Sequence, residues 1–216
     1  MSGLAADPAC PRCRKPPGLC VCDEIEPIAN RVALLILQHP QEQDRELGSA
    51  QIAALQFARS RLVVGLSWRG LAAIIGRPAD PKKWGVLYLG PVKADATRPP
   101  LAALSQRGVL LPDQQAALAA LEGIVLLDGN WGQAKALWWR NPWLLKLRRL
   151  VLAPPFRSHY GRLRQEPRPD SLSTIEAAAL CLAELEGDPG ILPRALKPFL
   201  ALLERYKAVA RRPPRG

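Results

Sequence analysis

The sequence lacks the parts that several common protein classes require. No apolar run approaches the ~18 or more residues that a bilayer span needs, which excludes an integral membrane protein built of helices and points to no membrane partner. The opening stretch from Met1 to Pro8 has neither a basic n-region nor an apolar h-region, so no secretory signal is expected. Neither G-x-G-x-x-G nor G-x-x-x-x-G-K-[ST] occurs, so a standard dinucleotide fold and a P-loop NTPase both lack their phosphate-binding loops. G-x-S-x-G is missing too, and with it the nucleophile elbow of many serine hydrolases. Histidine is scarce. His39 and His159 are the only two, which leaves little material for a histidine-based catalytic or metal site.

What is present in excess is positive charge: 30 Lys and Arg against 19 Asp and Glu, a formal +11. The excess is concentrated. Eight bases lie between Arg140 and Arg168 (Arg140, Lys146, Arg148, Arg149, Arg157, Arg162, Arg164 and Arg168) with one acid, Glu166. Five more sit near the end: Arg205, Lys207, Arg211, Arg212 and Arg215. The remainder of the chain holds 17 bases and 18 acids and is nearly neutral. Clustering of this kind is the footprint of a polyanion, most often nucleic acid. A solvated basic face or an anionic membrane surface is the plainer reading.

Four of the five cysteines crowd into thirteen positions, as Cys10-x-x-Cys13 and Cys20-x-Cys22. Without an export signal the thiols are expected to stay reduced in a cytoplasmic setting, and a disulfide framework is the weaker reading. Four thiolates in two close pairs suit tetrahedral zinc, with a redox pair or an iron–sulfur site as alternatives. Pro and Gly between the pairs turn the chain back on itself. So short a segment buries little by itself, and a bound metal would supply its folding energy. Arg12, Arg14 and Lys15 stand on it and could touch a phosphate backbone; the metal is read as structural and any RNA contact as auxiliary. Cys181, in an apolar helical run, reads as core.

From Arg31 onward the chain alternates short apolar runs with amphipathic stretches. The runs Val32–Gln38, Leu62–Leu66, Gly85–Leu89, Ile124–Leu127 and Leu150–Leu152 read as parallel strands covered on both faces. Helical patterns cover Ser49–Ala58, Asp113–Leu121, Gln133–Trp139, Ile175–Leu185 and Arg194–Ala208. The fold class is therefore α/β: an open, mostly parallel sheet with helices on both faces, plus a small N-terminal four-cysteine zinc knuckle. The expected division is a knuckle over 1–30, a ligand-binding domain over 31–210 and a disordered basic tail over 211–216.

Ligands of open α/β sheets bind beyond the carboxyl ends of strands. Three such ends carry chemistry: Gln38-His39-Pro40, followed by Glu42 and Arg45; Leu89-Gly90-Pro91; and Leu127-Asp128-Gly129-Asn130-Trp131. The last delivers a carboxylate, a glycine that lets backbone approach a ligand, an amide and an indole. Its plainer reading is a turn into a helix, with Asp or Asn as N-cap and Trp as core. A second constellation runs from Ser158-His159-Tyr160 through Arg162 and Arg164 to Ser173-Thr174-Ile175-Glu176. Ser173-x-x-Glu176 fits a capping box, and a helix N-terminus there could receive a carboxylate-bearing ligand.

Taken together and in order, the four-cysteine knuckle, Gln38-His39-Pro40, the Asp128 segment and Leu172-Ser173-Thr174-Ile175-Glu176-Ala177 resemble the DTW-domain proteins, which are similar to tRNA-uridine aminocarboxypropyltransferases. The likeness runs from Cys10 to about Glu186. It implies a SPOUT-like domain, often knotted near its C-terminal part, that binds S-adenosylmethionine. It also implies transfer of the 3-amino-3-carboxypropyl group to N3 of a uridine in tRNA, leaving methylthioadenosine. On this resemblance Asp128 and Trp131 are catalytic, Asp128 as the base. His39, Pro40, Gly90, Pro91, Leu127, Asp128, Gly129, Asn130, Ser173, Thr174 and Glu176 would line the co-substrate. Arg149, Arg157, Tyr160, Arg162 and Arg164 would bind RNA, and Cys10, Cys13, Cys20 and Cys22 would hold Zn2+. The family motif is Asp-x-Thr-Trp; here Asn130 replaces Thr while keeping hydrogen-bonding capacity, and Ser49-Ala50 stands where Asn-Thr is common. Alternatives are the same transfer on ribosomal RNA, SPOUT-type RNA methylation, and a non-catalytic zinc RNA-binding module.

Overall fold

The apolar runs fold into one six-stranded sheet in the computed structural model, which describes residues 8–87, 99–163 and 171–210. In chain order the strands are β1 (Ala33–Gln38), β2 (Ser60–Val64), β3 (Trp84–Leu87), β4 (Leu101–Leu104), β5 (Gly123–Asp128) and β6 (Arg148–Leu152). Across the sheet they run β2-β1-β5-β3-β6-β4. All neighbours are parallel except β4, which lies antiparallel to β6. The helices are α1 (Ala50–Gln56), α2 (Leu71–Ile75), α3 (Gln114–Ala119), α4 (Trp131–Arg140), α5 (Thr174–Glu186) and α6 (Ile191–Ala210). None is long and apolar enough to cross a membrane.

Period-two alternation in β1 builds both layers. Leu34 and Ile36 face a core shared with α1, α3, α5 and α6, while Leu35 and Leu37 face a smaller one with α2, Trp138 of α4 and Leu144. All four are buried, each contributing roughly 1.5–3 kcal/mol. The five expected strands and five expected helices are present among the described residues, with ends shifted by a few residues; the end of the expected strand Gly85–Leu89 lies outside them. Two further elements, β4 and α2, are present as well. Leu101-Ala-Ala-Leu104 carries no β-branched residue, and α2 has only five residues before Gly76 (φ +74°) stops it.

The knuckle segment is packed into the larger core. Leu19, Val21, Ile25 and Ile28 are buried with Phe199, Leu202 and Leu203 of α6. Two short 3-10 turns, Pro17–Leu19 and Cys22–Glu24, lie on that helix, and Arg205 pairs with Asp23 at 2.7 Å while Lys197 pairs with Glu24 at 3.4 Å. Pro198 sits inside α6 and has no N–H for the carbonyl of Arg194. Gln56 of α1 supplies the substitute: its Nε2 donates to Arg194 O at 3.1 Å and to Glu26 O at 2.9 Å, joining α1, α6 and the knuckle segment.

Candidate active site

The chain leaves β1 toward α1 on one face of the sheet and leaves β5 toward α4 on the other, so a crevice opens at the carboxyl ends of this pair. Register places Gln38 beside Asp128 there. Gln38 Nε2 donates to Asp128 Oδ2 at 2.9 Å, Thr174 Oγ1 donates to Asp128 Oδ1, and His39 N donates to Asp128 O at 2.9 Å. Each carboxylate oxygen thus accepts one bond and keeps a second lone-pair direction. Gln38 is the one polar residue of β1, and a lone amide ending an apolar strand is the signal that singles it out.

The turn after Asp128 shows why its residues recur as a group. Asn130 is the N-cap of α4: its Oδ1 accepts from Gln133 N at 3.0 Å and Gln133 Oε1 accepts from Asn130 N at 2.6 Å, a full capping box. Thr serves at the same cap position, so the departure from the family motif leaves the local hydrogen bonding in place. Gly129 allows the helix to start this close: a Cβ there would sit 2.7 Å from Gln133 Cβ. Trp131 is 36% exposed and not core, with Lys135 Nζ 5.5 Å from its ring centroid. Leu127 is half-buried against the smaller core. His39 caps the 3-10 turn Pro40–Glu42 by accepting from Gln41 N at 3.3 Å, and Pro40 is exposed at the rim.

The loop from His39 to Ser49 is held from three sides. Tyr160 Oη donates to Leu47 O at 2.6 Å, Ser49 Oγ accepts from Ile175 N at 3.2 Å, and Lys15 Nζ donates to Gly48 O at 2.6 Å and Arg45 O at 2.8 Å. Two expectations change here. Lys15 is 3% exposed, so it braces the loop beside Asp128 rather than touching a phosphate backbone. Burial pulls its pKa down to about 8, against the opposing pull of Cys13, Asp128 and Glu46. Tyr160, expected to bind RNA, is 2% exposed and stacks edge-on against Phe199, because its hydroxyl is needed inside.

Glu176 is fully buried at the start of α5. Its carboxylate accepts from Ser158 Oγ (2.8 Å), His159 N (2.7 Å) and Ser173 N (2.7 Å), and lies 2.7 Å from His159 Nδ1. Burial pushes its pKa up, but the hydrogen bonds from His159 and Ser173 outweigh that and hold it below the ordinary value. Ser173 completes the capping box by accepting from Glu176 N at 3.4 Å. Exposed Arg157 and Arg162 flank the loop that Glu176 pins. Arg149 is half-buried on β6 and donates to Gln106 O at 2.7 Å. Gly90, Pro91 and Arg164 lie outside the described residues. Of the basic residues near the C-terminus, Arg205 is paired with Asp23 and Lys207 with Glu204.

The four knuckle sulfurs lie within 4.8 Å of one another, with Cys10–Cys22 at 3.6 Å and Cys13–Cys20 at 3.7 Å. A tetrahedral site with ~2.3 Å metal–sulfur bonds has edges of about 3.8 Å, so the set fits zinc. Arg14 in the left-handed region (φ +58°) tightens the turn, and Cys10 N donates to Lys15 O at 2.8 Å. Backbone N–H groups of Cys13 and Arg12 draw the Cys10 thiol down to about 6, whereas burial pushes Cys22 up to about 12. Cys181 is buried in the core, and its thiol is raised by that burial.

Fold and site together define an α/β protein with a crevice at the β1/β5 switch point and, docked beside it, a four-cysteine knuckle that could bind a metal. Residues 7–207 match the DTW domain, and the chain belongs to the DTW-domain family. It is 32% identical over 214 residues to a Drosophila melanogaster protein named tRNA-uridine aminocarboxypropyltransferase 2, covering 93% of this chain and 77% of that one. Proteins of the same name from Macaca fascicularis and Mus musculus are 28% and 29% identical, each over 90% of this chain. The chain spans 62% of the length of these two mammalian relatives. No solved structure matches it.

Proposed function

We propose that this chain transfers the 3-amino-3-carboxypropyl group of S-adenosylmethionine to N3 of a uridine in tRNA. The observation that carries the reading is the Gln38–Asp128–Thr174 junction at the switch point of a DTW-domain sheet. The names of the relatives support the reaction class. The SPOUT-like classification of the sheet rests on the same family resemblance.

Asp128 accepts the N3 proton of uridine through a lone pair that Gln38 and Thr174 leave open. N3 then bonds to the aminocarboxypropyl carbon next to sulfur, the carbon–sulfur bond breaks, and its electron pair stays on sulfur as neutral methylthioadenosine. A sulfonium has three electrophilic carbons, so the group transferred depends on which carbon faces the base, and positioning carries much of the catalysis. Ser173, Thr174 and the braced loop from His39 to Ser49 are placed to orient the co-substrate. Asn130, Gly129 and Leu127 fix the turn, and Trp131 offers an exposed ring for stacking. Arg157 and Arg162 contact RNA phosphates, which position without specifying a base. Cys10, Cys13, Cys20 and Cys22 would hold zinc, which contributes folding energy and no chemistry in the crevice. Reduced thiols and tRNA as partner agree with a cytoplasmic setting.

Nucleoside mass spectrometry of tRNA incubated with wild type and Asp128→Ala tests the proposal. The expected result is aminocarboxypropyluridine with wild type and loss of at least about 10²-fold in rate with the variant, the low end for removing a general base. A methylated product, or near-wild-type turnover by Asp128→Ala, overturns it.

A further inference from the structure

We propose that the exposed face of α4 is a stacking platform for unpaired nucleotides of the RNA substrate, leading away from the Asp128 crevice. This deepens the proposed function and rests on it for the identity of the RNA. Trp131, Lys135 and Trp139 recur every fourth residue, so they form one stripe along the helix. All three are exposed, and Trp139 is 77% exposed, far more than an indole needs for packing. Lys135 already sits over the Trp131 ring. Arg140 at the end of the helix and Lys146 in the turn after it are exposed cations.

Two features select the occupant. The first is charge: no Asp or Glu occurs between Asp128 and Glu166, so every charged side chain on the helix and on the segment after it is basic. A second copy of this chain would bring like charge to like. The second is spacing. Eight residues of helix separate the two indoles by about 12 Å, the length of three to four stacked bases at ~3.4 Å each. Rings separated by a cation suit bases and phosphates in turn, which is how single strands are held without sequence readout. Duplex RNA keeps its bases stacked on each other and offers none to the indoles.

The test uses the full chain and a short fluorescent oligouridine, with an RNA duplex for comparison. Trp139→Ala is expected to weaken oligouridine binding roughly 5- to 150-fold, the equivalent of one base–aromatic stack at ~1–3 kcal/mol, and to leave duplex binding unchanged. Trp139→Phe should retain most of the affinity, and Lys135→Gln should lower the salt slope by about one. Far-UV circular dichroism and the mass in solution should match wild type. Wild-type oligouridine affinity in Trp139→Ala overturns the platform, as does a change confined to self-association. Transfer measured in parallel separates the two readings. Loss of RNA binding in Trp139→Ala with no transfer by wild type would overturn the activity and leave the platform standing.

Discussion

Helices α4 and α5 open with the same device in different surroundings. In each a short polar side chain caps the helix, and the third residue reaches back to the cap's N–H. At α4 the pair is Asn130 and Gln133, with Asn130 exposed and the reach-back residue neutral. At α5 the pair is Ser173 and Glu176, both buried, and the carboxylate also gathers Ser158 and His159 from a distant loop. The first box reaches one side chain of another loop, Gln133 Nε2 donating to Gln41 Oε1 at 3.2 Å; the second gathers Ser158, His159 and Ser173 onto one fully buried carboxylate. A local motif therefore tells where a helix begins, and its burial tells how much else depends on it.

Substitutions sharpen that contrast. Glu176→Ala leaves Ser158 Oγ, His159 N and the buried Ser173 N without their acceptor and is expected to destabilise by about 3–5 kcal/mol in urea unfolding. A loss near 1 kcal/mol would make the two boxes equivalent and break the comparison. The same carboxylate sets an acid limit. Its pKa is lowered in the folded state, so its stabilisation is complete above the ordinary value of 4.5 and disappears as pH falls through the lower folded value. Stability measured from pH 7 downward should therefore decline less below 4.5 in Glu176→Gln than in wild type.

Effects at α4 should be smaller. Gly129→Ala forces a Cβ to within 2.7 Å of Gln133 Cβ, and a loss of about 1–3 kcal/mol with displaced Asp128 is expected. Wild-type melting and turnover in that variant would show the turn to be soft. Asn130→Ala removes the cap and should cost about 1 kcal/mol. Smallest is Asn130→Thr, which restores the family motif and should change stability by less than about 0.5 kcal/mol with transfer retained. A large gain or loss in turnover would mean that the residue touches ligand directly.

Legibility falls with sequence distance. The apolar runs of β1 and β5, the cysteine spacing and Ser173-x-x-Glu176 are local patterns, and each is readable from neighbouring residues alone. Gln38 and Asp128 meet across 90 residues through sheet register, and Thr174 joins them across 46 residues through the packing of α5. Lys15 looks like one more exposed base until the loop from His39 to Ser49 closes over it. Arg205 counts toward net charge in the sequence, but its pairing with Asp23, 182 positions away, is visible only in the fold. Leu101-Ala-Ala-Leu104 is a strand through its neighbour β6 and not through its own propensity.

The ion pair between Asp23 and Arg205 also bears on synthesis. The two residues are 182 positions apart, and the apolar side of the knuckle segment rests on the helix that carries Arg205. At ~5–20 residues per second, roughly 10–40 s pass between translation of one partner and the other. For that interval the nascent knuckle has its own turn, closed by Cys10 N donating to Lys15 O, and whatever its four cysteines can hold. Its docking on that helix therefore has to wait until nearly all of the described chain has been translated.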